Sequence, residues 1–176
     1  SEAERLLEDS KRVLDEIRED LKRLLKESED VMREIEKTLE KLVRDVERVL
    51  DEVRKSRDDK KKVLDELRKI LEEVEKRAKD LNEENKRIMD KVRREVEELI
   101  KRNEDIMREV EERAKRDNVD ERVLRTIKDL HRRLSEEVKR VLDEAEELHR
   151  RLSERVREVL EDIRRLVEEL IEEVRK

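Results

Sequence analysis

The sequence predicts an all-α fold: a single-chain antiparallel three-helix bundle, coiled-coil-like and rod-shaped, with long and nearly straight helices. Three observations predict it. Apolar residues recur at steps of three and four through most of the chain, which is the helical signature. The pattern lapses at two places, residues 54–62 and 115–121. Six polar residues sit on the otherwise apolar seams in three pairs: Ser10 and Ser28, Asn85 and Asn103, His131 and His149. Each pair is spaced by eighteen residues, about five turns, so its members share one helix face.

The pairs also locate the turns. A hairpin that sets Ser10 against Asn103 and Ser28 against Asn85 turns at about residue 56. One that sets Asn103 against His131 and Asn85 against His149 turns at about residue 117. Both points fall in the lapses of the apolar pattern. The expected core therefore holds two buried polar layers, Ser10–Asn103–His131 and Ser28–Asn85–His149. Ser135 and Ser153, one turn beyond each histidine, are expected to join them rather than back-bond to their own helix carbonyls.

The first helix is expected over about residues 2–55. Its seam runs through Leu7, Ser10, Leu14, Ile17, Leu21, Leu24, Ser28, Val31, Ile35, Leu39, Leu42, Val46, Val49 and Val53. Doubled positions such as Leu6-Leu7, Val13-Leu14 and Val49-Leu50 widen the stripe, as a helix touching two neighbours requires. The second helix is expected over about 58–116, with Ser56 and Asp59 spaced as a capping box and Asp58 or Asp59 as alternative N-caps. The third is expected over about 120–175. Before it, Asn118 suits the left-handed conformation that ends helices where glycine is absent. Asp120 then serves as N-cap, with Val119 and Leu124 spaced as a hydrophobic staple. Roughly 54 residues per helix at 1.5 Å each give a rod about 80 Å long. No composition shift or linker divides the chain, so residues 1–176 are expected to form one elongated domain. One or two very long helices in an oligomeric coiled coil are the architectural alternative, but that leaves the two coincident turn centres unexplained.

Composition closes several functional classes. The 176 residues include no Gly, Pro, Cys, Phe, Tyr or Trp, and 59% are charged. At average usage, losing both Gly and Pro by chance has a probability on the order of 10⁻¹⁰. Without cysteine there is no disulfide framework or thiolate chemistry. Apolar runs are no longer than dipeptides, so neither a membrane span nor a targeting signal is expected. The net charge of −6 comes from interleaved signs. That favours solubility and argues against a nucleic-acid footprint, which needs clustered Lys and Arg. Surface pairs at i,i+4, including Glu8/Arg12, Glu19/Arg23, Glu73/Arg77 and Glu98/Arg102, serve mainly solubility.

Chemistry in the polar layers is also disfavoured. His131 and His149 lie about 27 Å apart along one helix, and each layer offers one imidazole without a carboxylate, so no metal site is expected. A close-packed core leaves no substrate pocket, and helical backbone supplies no oxyanion donors. No catalytic residue and no cofactor are expected. Met32, Met89 and Met107 are expected to fill gaps in the core. Asn82, Thr38 and Thr126 have no matching partner.

The aliphatic core without aromatics, the Glu/Arg/Lys surface and the eighteen-residue near-repeats resemble a computationally designed helical bundle with buried hydrogen-bond networks. The clearest repeat is residues 130–136, Leu-His-Arg-Arg-Leu-Ser-Glu, which recur identically at 148–154. The lack of glycine or Asp-Pro in the turns departs from such designs. The resemblance implies a structural scaffold without natural activity, soluble on recombinant cytoplasmic expression, monomeric and without nucleic-acid, membrane or protein partners at neutral pH. The alternative is a pH-responsive switch or interaction module, triggered when buried His131 and His149 take up protons.

Overall fold

The computed structural model describes residues 1–56 and 59–176. Three long helices account for nearly all of them: α1 (Glu2–Lys55), α2 (Lys60–Arg116) and α3 (Glu121–Arg175). Together they form a three-helix bundle. Cross-helix contacts give the directions. The start of α1 meets the end of α2, where Leu6 packs with Val110 and Ala114, and the end of α2 meets the start of α3, where Lys128 pairs with Glu111 at 2.9 Å. Successive helices are therefore antiparallel.

Each helix start is satisfied by its own sequence. Ser1 Oγ accepts the Glu4 N–H at 3.3 Å, occupying one of the donors that a helix N-terminus leaves without a partner. The Asp59 carboxylate accepts the Lys62 N–H at 3.4 Å, making Asp59 the cap of α2. Asp58, the alternative cap, lies outside the described residues, as does a helix start at residue 58.

The α2–α3 turn is the better specified one. Asn118 takes φ of 52°, the left-handed region that asparagine enters more readily than other non-glycine residues. The Val119 N–H donates to Ala114 O at 2.9 Å and the Asn118 N–H to Lys115 O at 3.3 Å. That pair of bonds is a Schellman motif, and Val119 and Ala114 share one apolar cluster, the contact that accompanies it. Asp120 then caps α3 through the Arg122 N–H at 2.9 Å. Val119 and Leu124 pack in the same cluster, as a hydrophobic staple does.

The helices contribute segments to two compact units, Ser1–Glu29 with Met89–Glu147 and Asp30–Ile88 with Leu148–Lys176. In the first, Leu6, Val110, Ala114 and Ile127 form a buried cluster. In the second, one cluster centres on Leu42, Leu67, Val167 and Leu170 and another on Ile35, Leu39, Leu81 and Val156. Fully burying one such aliphatic side chain contributes about 1.5–3 kcal/mol. The doublets Leu6-Leu7, Val13-Leu14 and Val49-Leu50 each resolve into one buried and one half-buried member. Leu14 is the buried one as the seam expected, whereas Leu6 and Leu50 are buried where the expected seam ran through Leu7 and Val49.

Ion pairs differ in spacing from the i,i+4 pattern read in the sequence. Arg12 and Arg23 reach Asp9 and Asp20, three residues back. Arg102 crosses to α1, to Asp20 at 3.0 Å and Glu16 at 3.4 Å. Asp20 thus serves both its own helix and α2.

Because Asn118 tolerates rather than prefers its positive φ, Asn118→Gly is expected to stabilise the fold by about 0.5–1 kcal/mol. Asn118→Val is expected to cost about 1–2 kcal/mol. Guanidinium denaturation followed by circular dichroism should place the three midpoints in the order Gly, Asn, Val.

Candidate functional site

The six paired polar residues are all buried. Ser10, Ser28, Asn85, Asn103, His131 and His149 are at most 3% exposed. Burial at this level obliges each polar atom to find a partner or carry the cost of lost hydration.

In the first unit the bonding centres on Asn103. Its Nδ2 donates to His131 O and to Ser135 Oγ, both at 2.8 Å, and its Oδ1 lies 2.7 Å from His131 Nδ1. A backbone carbonyl can only accept, so the amide nitrogen must face His131 O and the amide oxygen must face the ring. His131 Nδ1 therefore carries the proton and donates to Asn103 Oδ1. Nε2 is left as a bare lone pair.

The second unit repeats the arrangement. Asn85 Nδ2 donates to His149 O at 2.7 Å and to Ser153 Oγ at 2.9 Å. Its Oδ1 accepts from His149 Nδ1 at 2.7 Å. The protonated nitrogen is again Nδ1. Ser135 and Ser153, both half-buried, accept from asparagine and so belong to the networks.

The serine of α1 behaves differently from the three-residue layer read in the sequence. Ser10 is buried, but its Oγ has no hydrogen-bond partner, and neither has His131 Nε2. Leu6 and Ile127 pack in one cluster, and Ser10 and His131 each lie one turn beyond them on parallel helices, so the two unpartnered atoms share a layer. Packing places Ser10 there; hydrogen bonding does not hold it. Ser28 is buried to 1% and is not without a partner.

Sequence reasoning missed the carbonyls of His131 and His149, each of which takes an asparagine N–H. A helical carbonyl carries no sequence mark of such use. It also gave no role to Asn82, whose Oδ1 is buried without a partner. Thr126 Oγ1 back-bonds to Arg122 O at 3.0 Å, and Thr38 is exposed.

Burial pushes the pKa of both histidines below its ordinary value, since a charged imidazole loses its hydration in the core. The bonding is that of a structural network. The ring N–H donates to an amide oxygen, and Ser135 Oγ accepts a hydrogen bond from Asn103 instead of donating one to the imidazole. Among the described residues no group of three or more His, Cys, Asp or Glu side chains is placed to hold a metal ion. No described helix is long and apolar enough to cross a membrane.

No protein-family model and no curated protein matches the chain. Among solved structures it is similar to one described as a "Computationally designed three helix bundle". The two are 17% identical, with a TM-score of 0.57, over 98% of this chain and 81% of that one. The likeness is one of fold.

Removing one partner from a buried network exposes the cost of those left behind. Asn103→Leu, which strands the His131 Nδ1–H, is expected to destabilise by about 1–3 kcal/mol. Adding His131→Leu should recover most of that loss. Ser10→Ala deletes a hydroxyl that bonds to nothing and should leave stability unchanged or slightly raised. Denaturant midpoints of the three variants against the parent check the order.

Proposed function

We propose that this chain is a designed structural scaffold with no natural biochemical activity, whose buried polar layers set helix register. The observation that carries this reading is the repetition of one bonding pattern. Asn103 and Asn85 each engage a histidine ring, that histidine's own carbonyl and the serine one turn on. Two such networks on an aliphatic core penalise slipped pairings, because a slip leaves several buried polar atoms unpaired. The described name of the similar solved structure and the composition without glycine, proline or aromatics support the design origin.

The scaffold is a monomer in this reading, since most of the apolar residues are consumed by the three helices' own contacts and, of the large ones described, Leu148 and Leu166 are left exposed. Light scattering over a range of concentrations, with concentration taken from refractive index because the chain lacks Trp and Tyr, is expected to return the mass of one chain throughout. A mass that rises with concentration counts against it.

Acid separates the scaffold from a pH-triggered switch. With the folded pKa of His131 and His149 depressed, their contribution to stability is complete above the unfolded value of about 6.5. It is lost as the pH falls from there toward the folded value. Within that window each histidine costs about 1.4 kcal/mol per pH unit. Asp9, whose carboxyl is held low by its hydrogen bond from Arg113, loses its contribution only below the ordinary aspartate range, so it plays no part between pH 7.5 and 5. The scaffold is expected to weaken between pH 7.5 and 5 but to stay folded. A His131→Asn, His149→Asn variant should lose much less over the same interval. Circular dichroism during denaturation at both pH values checks this, and spontaneous unfolding of the parent at pH 5 would favour the switch.

A further inference from the structure

We infer that in the first unit the face of the α2–α3 hairpin is a docking surface for a separate amphipathic helix, and that the chain's own α1 is its tethered occupant. The bonds that join α2 to α3 do not involve α1. Asn103 engages the His131 ring, the His131 carbonyl and Ser135, and residues 117–120 close the hairpin through the Schellman bonds and the Asp120 cap. Ser10, the α1 residue in the His131 layer, gives no hydrogen bond to either helix. What α1 brings is an apolar stripe. Leu6 packs with Val110, Ala114 and Ile127, and Leu14, Ile17, Leu21 and Leu24 are buried further along. Those are the three- and four-residue steps by which a helix fills a groove.

Charge narrows which helix fits. Among the described residues every ion pair between α1 and α2 runs one way, from an acid of α1 to a base of α2. Asp9 meets Arg113 at 2.6 Å, Glu16 and Asp20 meet Arg102 at 3.4 and 3.0 Å, and Glu27 meets Lys91 at 2.5 Å. Glu95 and Glu98 line the same groove, but among the described residues no base of α1 pairs with them. Towards α3 the sign is reversed, with Arg18 lying 3.6 Å from Glu137. The partner is therefore an aliphatic-faced helix with acids along its α2 edge and a base toward α3. Coiled coils choose partners by flanking charges in the same way. While the tether is intact, α1 acts at an effective concentration on the order of millimolar, so a micromolar rival does not enter. Cutting the tether removes that advantage and leaves the surface as it is.

The experiment uses the whole chain with a protease recognition sequence inserted after the exposed Ser56, folded first and cut afterwards. The probe is a fluorescent peptide of residues 1–56. Protein and probe are refolded together from guanidinium, so that slow dissociation does not hide exchange, and uptake is read by size-exclusion chromatography. The uncut protein should take up almost none at micromolar probe. After cutting, the two pieces should stay together at micromolar concentration, and an equimolar probe should enter about half of the complexes. A second probe carries Asp9→Asn, Glu16→Gln, Asp20→Asn and Glu27→Gln, which keep the apolar stripe and remove the ion pairs to α2. It should compete about threefold to tenfold less well at low ionic strength. Near 1 M NaCl, where the screening length is about 3 Å, it should equal the first. Pieces that separate on cutting, uptake by the uncut protein equal to that of the cut one, cut protein that takes up no probe, or a second probe that matches the first at low salt would each overturn the proposal.

Discussion

The side-chain amide of Asn103 joins α2 to α3 at three atoms, and both helices must sit correctly to within a fraction of a turn for all three contacts to form. Two contacts go to one residue, His131, through its ring nitrogen and its backbone carbonyl. The third goes one turn along α3, to Ser135. A slip by one turn keeps leucine against valine and changes the apolar burial little. The same slip leaves an amide, an imidazole and a hydroxyl in the core without partners, each at a cost of about 1–3 kcal/mol. The network thus contributes discrimination between registers more than net stability.

Such a device discriminates least where one of its two networks can still form. Because the two networks are built from the same residues at an eighteen-residue spacing, pairing Asn85 with His131 would satisfy the same atoms as pairing it with His149, though it would leave Asn103 and His149 without partners. The α2–α3 turn excludes that pairing independently. Asn118 in the left-handed region, the two Schellman bonds and the Asp120 cap leave only residues 117–120 between the helices. No shift of several turns is compatible with so short a connection. Coarse register comes from the turn and fine register from the asparagines.

How much of this was legible follows from what leaves a mark on residue type. The α2–α3 turn was readable because Asn118, Val119, Asp120 and Leu124 each have a preferred place in a helix stop or start. Eighteen-residue spacing exposed the layers because polar residues on an aliphatic seam are conspicuous. The buried member was not readable at the doublets Leu6-Leu7 and Val49-Leu50. Leu6 and Leu7 differ by 100° around the helix, and three-residue and four-residue steps accumulate differently along a straight helix and a supercoiled one. The hydrogen-bonded set was only partly readable, since Ser10 has the composition of a network member and the geometry of a spacer. Arg12 and Arg23 each had an acid both three and four residues back, and residue type alone did not say that Asp9 and Asp20 would be chosen.

The helices in the first unit are consequently held by different physics. α2 and α3 meet through buried, neutral hydrogen bonds that salt does not screen, with the surface pairs Lys128–Glu111 and Arg93–Glu146 beside them. Against α2, α1 offers a serine hydroxyl that bonds to nothing, and its polar complementarity lies at the surface. There the acids of α1 face the bases of α2: Asp9 with Arg113 at 2.6 Å, Asp20 with Arg102 at 3.0 Å and Glu27 with Lys91 at 2.5 Å. Exposed pairs of this kind are worth about 0–1 kcal/mol each and weaken with ionic strength. Protonating His131 acts on the opposite side of this division. The proton enters at Nε2 and leaves the Nδ1–H bond to Asn103 in place, so acid charges the core without cutting the α2–α3 link. Salt therefore bears most on how α1 is aligned, where no buried hydrogen bond from Ser10 backs the ion pairs, and acid on the cost of burying α3. The asparagine bridge is the element that neither condition removes.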